Sequence, residues 1–586
     1  MRRRYRLACR AKRGTTCSTA CWPWFVPDWT VRDRLCRAFP GGDSNGTAAR
    51  PAACFRIGCA ARIGVAVLLH SIELRLSRDL LVHARSLQNR RYSRDALRRQ
   101  RVTRSMTLVF FGFILLSLVL AIISKRGHAH QKAADFFVAS GQFSSVLFFF
   151  LAVGETYSVA TILGFPGGVY ASGTGFVTWF LGYILLAFVV GYFLNPLIWR
   201  AGRVYGALTL SDLFRRHFDS RLLEVVVTSA SLIFLVPLGM MQFLGVEIVL
   251  RSFGWAISPL MLAGFAGMLA FSYIAISGIR ASAYVAILKD VLLIAAILLT
   301  GLAALKLWGG NAHAATTSAA WRHAMQPTLK GDMFSITTIL LQSVGFCMVP
   351  QTCAYVFTAR SASTVRRAQV TMPLYMVMFP FLTVVSYYAL AHPLHLQTPN
   401  DVFLATAQTL LPAPLVGMVM AGAALSALVV LTGICLAIGP LVTRNLVPGL
   451  SDDRQRRWSQ VVMALYLLLS VGGAATSSQL MVTINNLFYF GVTQSFPGML
   501  AILFLRRTRP SSLVAGIVVG DAVAIALYEL NVSTGGINPG FIGLLVNLAI
   551  VFGALALWPG PARVPISAKV EAPVSRNVPP LTSPTQ

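Results

Sequence analysis

Leu151-Ala-Val-Gly-Glu-Thr-Tyr-Ser-Val-Ala-Thr-Ile-Leu-Gly-Phe-Pro-Gly167 is the stretch on which the fold reading turns. It is apolar enough to enter a bilayer, yet Gly154, Glu155 and Thr156 sit in its middle and Gly-Phe-Pro-Gly closes it. Glycine and proline loosen a helix. A carboxyl group at membrane depth is costly and usually functional. A second stretch, Gln342-Ser-Val-Gly-Phe-Cys-Met-Val-Pro-Gln-Thr352, is interrupted in the same way by Gly345 and Pro350. Interrupted spans at matching positions of two halves point to an inverted-repeat carrier, whose freed carbonyls and half-helix ends hold a cation or a carboxylate. The plain alternative is that these residues only kink their helices.

Working outward, the 586 residues are 56% hydrophobic and only 12% charged. Soluble domains carry about 25% charged residues, so a soluble enzyme and a disordered chain are both excluded. Thirteen apolar segments approach the ~20 residues that a bilayer-crossing helix needs: 106–124, 136–163, 173–198, 222–249, 258–277, 282–308, 333–357, 370–391, 414–442, 458–474, 479–504, 512–530 and 538–557. Backbone groups in lipid must be paired within the segment, so these are helices. The alternating pattern of a membrane β-barrel is missing.

The net charge of +30 is uneven. Residues 1–105 hold 23 Lys and Arg against 6 Asp and Glu, and six of the nine cysteines, with no metal-ligand spacing. This leader is too long and too Arg-rich for a signal peptide. A lipid- or nucleic-acid-binding arm and a targeting segment are weighed against an upstream read-through with translation starting at Met106. Elsewhere the loops sort by charge. One side gathers Arg200–Arg221, Arg360–Arg367, Arg444–Arg457, Arg506–Arg509 and the tail; the other has Arg251, Lys306, Arg322 and Lys330. The positive-inside rule puts the first set in the cytoplasm. The first helix then starts outside, and the seven arginines of Arg90–Arg104 would lie on the wrong side. That conflict favours the read-through. The expected organisation is a basic leader over 1–105, a transmembrane domain over 106–557 and a disordered cytoplasmic tail over 558–586.

Other polar residues carry weaker expectations. Gln242 either lines a cavity or bridges helices. Gln351 and Thr352 follow the second interruption and either meet a substrate carboxylate or bond between helices. Lys289 and Asp290 are adjacent on one helix and are expected to face apart, with Asp290 paired to a cation on another helix. Asn485 and Asn486 suit helix packing or an outer gate. No His cluster and no phosphate-binding loop appear, so neither a metal enzyme nor an ATP-driven pump is supported.

Gly154 to Tyr170 resembles the first core helix of the sodium:solute symporter family. Tyr205-Gly-Ala-Leu-Thr-Leu-Ser-Asp-Leu-Phe-Arg-Arg216, Ile276-Ser-Gly-Ile-Arg-Ala-Ser-Ala-Tyr284 with Lys289-Asp290-Val291, and Thr443-Arg-Asn-Leu446 resemble later stretches of that family. The resemblance covers roughly 106–557 and looks closest to bacterial permeases for short monocarboxylates. It implies an all-α polytopic protein with a five-plus-five inverted-repeat, LeuT-like core and sodium-driven alternating access. It implies sodium ligation by carbonyls of Gly154 and Tyr157 and by hydroxyls of the eighth core helix. In this chain the usual hydroxyl pair falls on Val429 and Val430, which offer sodium no oxygen. Ser426 and Thr432, within about a turn, are the substitutes. Glu155 either carries a proton, completes a cation site or steadies the break.

The expectation is thus a symporter in a bacterial cytoplasmic membrane, not an enzyme. It would move a small organic solute, plausibly a monocarboxylate, with sodium or protons and with no other cofactor and no nucleic-acid partner. Gly154, Glu155, Tyr157, Ser426 and Thr432 would bind the ion, and Thr156, Gln242, Gln351 and Thr352 the solute. The alternative is a membrane sensor that binds the solute without transporting it.

Overall fold

The computed structural model describes residues 103–124 and 133–569, apart from 309–327, 393, 478–479 and most of 255–277. The leader up to 102, half of the fifth expected span, the loop 125–132, the tail from 570 and the side chain of Glu155 lie outside the described residues.

Helices account for nearly everything, and among the described residues the only strand-like pairing is an isolated bridge between Phe143 and Ala359. Ten helices are long and apolar enough to cross a membrane. They are α1 (Thr103–Ile123), α4 (Thr174–Tyr205), α6 (Arg221–Arg251), α7 (Ile279–Trp308), α10 (Ala362–Ala391), α11 (Ala413–Pro440, running on to Leu446 in a widened turn), α12 (Asp452–Thr476), α13 (Met481–Phe504), α14 (Pro510–Glu529) and α15 (Pro539–Leu557). Between them lie α2 (Ser145–Thr156), α3 (Phe165–Ser172), the short α5 (Leu210–Phe218), and α8 (Leu329–Phe346) followed by α9 (Pro350–Thr358). The α8–α9 pair bends by 44° and, counted as one span, makes an eleventh by length and composition. The second expected span, 136–163, holds α2 and the widened turn that follows it and ends just before α3, so no single long helix forms there.

Burial sorts these helices. In α11, 94% of the apolar window is inside the protein, against 28% for α1 and α15. α11 is therefore the axis of the bundle, packed on α7, α6 and α12. Leu115, Phe193, Ile233 and Leu468 point outward in large apolar patches, the surface that lipid rather than water covers. Lipid supplies no hydrophobic driving force between helices, so close approach at small residues does the packing. At Gly491 the ring of Phe234 occupies the place of a side chain, and at Gly422 the backbone of Leu292 does so within 3.4 Å.

The Thr-Leu-Ser-Asp and Thr-Arg-Asn motifs fold into one polar knot. Asp212 caps α5 from within, accepting from the amides of Leu208 and Thr209 at 2.9 and 3.4 Å. It also takes Arg444 Nε at 2.9 Å and Asn445 Nδ2 at 2.8 Å from the end of α11. Glu224 accepts from Asn445 at 2.9 Å and pairs with Arg221 at 2.7 Å. The Thr-Leu-Ser-Asp and Thr-Arg-Asn motifs are thus two sides of a single network. Beyond α15 the chain does not fray as expected from residue 558. Arg563 donates to the Phe218 carbonyl at 3.0 Å, and Lys569 lies 4.7 Å over the ring of Tyr205. Residues 559–569 therefore form a strap across α5, and the expectation of disorder applies only to the part outside the described residues.

Candidate functional site

Both expected interruptions are real breaks. α2 stops at Thr156; Tyr157 leaves helical geometry with φ −101° and ψ 68°, and a widened turn over Ala160–Gly164 leads into α3. A break strands carbonyls that lipid cannot satisfy. Here side chains take them. The Thr161 hydroxyl donates to Thr156 O at 2.7 Å, and Lys289 Nζ donates to Tyr157 O at 2.9 Å. Ser158 Oγ accepts from the Ala160 amide at 3.2 Å and starts the next segment.

At the second break α8 ends with Phe346 and α9 opens with Pro350 at its first position, where a missing N–H costs nothing. Met348 N reaches Gly345 O at 2.8 Å, and Cys353 Sγ reaches Cys347 O at 3.2 Å. Among the described residues no charged side chain is seen to bond to these carbonyls.

Between the breaks lies a cavity of about 30 Å³ lined by Thr156, Ser158, Thr161, Tyr183, Asn485 and Tyr489, with Val430, Phe346 and other apolar side chains completing the wall. Thr156 Oγ1 and Asn485 Nδ2 are buried there without a hydrogen-bond partner among the described residues. Phe346 also lines a second, smaller cavity of about 10 Å³ with Asn195, Thr352 and Gln369.

The expected site residues separate into groups. Thr156 lines the main cavity; Thr352 lines the smaller one. Gln242 is fully buried, donating weakly to Leu238 O at 3.4 Å, and is absent from both cavity walls although its neighbours Leu238 and Met241 are present. Gln351 is fully buried in α9. Of Glu155 only the backbone is described. Gly154 and the Tyr157 carbonyl meet at one junction with α7 and α11, where a Cβ built on Gly154 would lie 3.6 Å from Lys289 Nζ and 3.8 Å from Val429.

That junction does not suit sodium, a hard cation that needs several oxygens. The Tyr157 carbonyl is taken by an ammonium. Val429 faces the place with methyl groups. Ser426 and Thr432 spend their hydroxyls on their own helix, donating to Gly422 O at 2.8 Å and Leu428 O at 2.7 Å.

Lys289 corrects an expectation as well. It lies beside Asp290, Nζ to Oδ1 2.5 Å, with both side chains fully buried. The approach has ion-pair distance without hydrogen-bond alignment, so neither Asp290 oxygen has a hydrogen-bond donor among the described residues. The long lysine stem bends back over its neighbour, which the rule for adjacent helical residues does not anticipate. Sequence had marked Lys289 as Asp290's neighbour and through its family motif, but not its contact with the break, which spans 132 residues and which no local pattern announces. Asn485, Ser158 and Tyr183 were likewise not singled out as cavity groups.

The family model for the sodium:solute symporter family matches residues 136–520. The chain belongs to the sodium:solute symporter family. Among the symporter's relatives is an uncharacterized symporter, YhjB, of Bacillus subtilis (strain 168), 25% identical over 473 residues that span 76% of this chain and 95% of the relative. Another is a monocarboxylate transport permease of Rhizobium johnstonii, 25% identical over 491 residues, spanning 78% of this chain and 98% of the relative. Among solved structures, a Na+-coupled sialic acid symporter in a substrate-bound outward-open state superposes with TM-score 0.63 at 18% identity, covering 78% of this chain and 99% of that one. That likeness carries the fold, a LeuT-like helical core. The symporter is a multi-pass membrane transporter by family.

Proposed function

We propose that the symporter accumulates a short monocarboxylate across the bacterial cytoplasmic membrane by alternating access, driven by a sodium or proton gradient, with residues 106–557 as the transport domain. The observation that carries this reading is the cavity between two broken helices, in which a buried hydroxyl (Thr156) and a buried amide donor (Asn485) lack partners. Unpartnered buried polar groups are costly unless a ligand satisfies them. A carboxylate accepts from both. Broken-helix ends at mid-membrane are how carriers present backbone dipoles to such anions.

Size points the same way. By this measure one water needs about 10–15 Å³, so about 30 Å³ holds two or three waters and leaves no room for a sugar. The Rhizobium relative named for monocarboxylates supports the same substrate class. Phe346 stands between the two cavities, and its displacement would open a path from Thr156 towards Thr352. The first helix would enter from outside and the C-terminus would be cytoplasmic, as the loop charges require.

Uptake of a panel of radiolabelled short acids into proteoliposomes, with sodium and pH gradients imposed separately, tests the proposal. One acid is expected to accumulate. Thr156→Val is expected to raise KM about tenfold, the value of roughly one hydrogen bond to a charged group, while insertion and melting are unchanged. No accumulation of any acid under either gradient, with solute binding retained, would favour the sensor reading instead.

A further inference from the structure

The position where the family resemblance puts sodium is filled by a side chain of the chain itself. Lys289 sits about ten residues into α7, about 15 Å from its cytoplasmic start at 1.5 Å per residue, which is mid-membrane. Its ammonium meets the break from the side of α7 beside Gly154 of α2, which Val429 of α11 also approaches, and donates to the Tyr157 carbonyl at 2.9 Å. The neighbouring Thr156 lines the solute cavity. The break thus has the cavity at one residue and a fixed positive charge at the next.

We propose that the Lys289 ammonium is a tethered, resident cation that takes the place of sodium at this junction, so that the site works without binding sodium. This rests on the transporter reading above and specifies its ion. Three independent features agree. The released carbonyl already has a cationic donor. The helix facing it offers valine where a sodium site needs hydroxyls, and the nearest hydroxyls, Ser426 and Thr432, are committed to their own backbone. The ammonium is charge-paired by Asp290 at 2.5 Å, a carboxylate that a sodium site of neutral oxygens would not require. Sodium placed among these groups would lie against a like charge at low dielectric, which is strongly unfavourable. A covalently held cation also needs no concentration in solution, because its effective concentration is set by its own stem. A fixed positive charge one residue from the cavity further favours an anionic solute there.

The groups surrounding Lys289 define the controls. Asp290 is on its own helix, Tyr157 is on the broken segment, and Tyr375 lies on α10 with its ring 5.0 Å from that of Tyr157. Val429 of α11, which approaches the same Gly154, is apolar. Removing the ammonium while keeping Asp290 leaves a buried carboxylate beside a stranded carbonyl, a pair of oxygens with an open place for a monovalent cation. Removing both leaves no net charge to attract one.

The experiment is equilibrium binding of radioactive sodium to the purified full chain in lipid nanodiscs, with melting temperature in sodium chloride against choline chloride as a second readout. The wild type is expected to show no saturable sodium binding and no sodium-specific shift in melting. Lys289→Ala is expected to gain both, and Lys289→Ala with Asp290→Asn to lose them again. Saturable sodium binding by the wild type overturns the proposal without reference to any variant, and so does a Lys289→Ala protein that folds yet shows no more sodium response than the wild type. If Lys289→Ala does not fold, Lys289→Gln, which keeps a donor for the Tyr157 carbonyl, is read by the same two criteria. Because neither readout uses solute, a failed uptake panel would remove the monocarboxylate reading and leave this result standing.

Discussion

The two breaks share a cause and differ in what fills them. Each is a mid-membrane interruption lying between a glycine and a proline, Gly154 and Pro166 in one and Gly345 and Pro350 in the other. At the first, the carbonyls of Thr156 and Tyr157 are met by a hydroxyl and by an ammonium from another helix. At the second, the Gly345 carbonyl is met by the local backbone and the Cys347 carbonyl by a thiol six residues on. One break is therefore coupled across the bundle and carries charge. The other is self-contained and apolar, and it supplies a bend of 44° and the Phe346 partition. A discontinuous helix frees carbonyls at membrane depth, and the partner that reaches them decides what the break can hold.

The comparison is broken most severely by Asp290→Ala. It leaves a buried ammonium without its carboxylate, and loss of one member of a buried pair costs about 3–5 kcal/mol. A large drop in melting temperature is expected, and a drop no greater than that of a surface substitution would show that the first break does not depend on the ion pair. At the second break the expected cost is steric. A methyl group on Gly345 would fall on the Thr493 hydroxyl and the Tyr489 ring, so Gly345→Ala should cost about 1–3 kcal/mol by overpacking. Its effect should not depend on ionic conditions.

A smaller effect is expected away from both breaks and sharpens the contrast between polar groups inside the bundle and those at its end. His217 of α5 is buried against Tyr205, whose hydroxyl is 2.8 Å from Nδ1, and faces Arg563 and Lys569 of the strap. Burial first, then those two cations, push its pKa down from 6.5 to about 4. The folded protein thus keeps the ring neutral where the unfolded chain would protonate it. The stability this contributes is complete above about pH 6.5 and is lost as pH falls towards 4. Strap contacts should loosen over that window, read as faster proteolysis after Trp558, and His217→Gln should flatten the dependence.

Much of the fold was legible before any coordinates. Helix content, the positions of the spans and both breaks follow from local properties: twenty-residue apolar runs must be helical in lipid, and glycine and proline act within a turn of where they stand. The Thr-Leu-Ser-Asp and Thr-Arg-Asn motifs were visible too, although not as one network, because Asp212 and Asn445 are brought together from 233 residues apart. The site was legible only in part. Thr156 lies on the cavity wall as a mid-break residue should, whereas Gln242 and Gln351, equally polar in sequence, are on neither cavity wall.

Composition and residue order alone determined that this chain crosses a membrane many times and opens two of its helices midway, since lipid enforces both through short-range backbone chemistry. Tertiary packing alone decided that Lys289 would meet the Tyr157 carbonyl, that Ser426 and Thr432 would turn to their own helix, and that Thr156 and Asn485 would face one hollow. The physical reason is reach: a side chain's partner in lipid is set by which helix lies against it, and that is a property of the assembled bundle rather than of any segment.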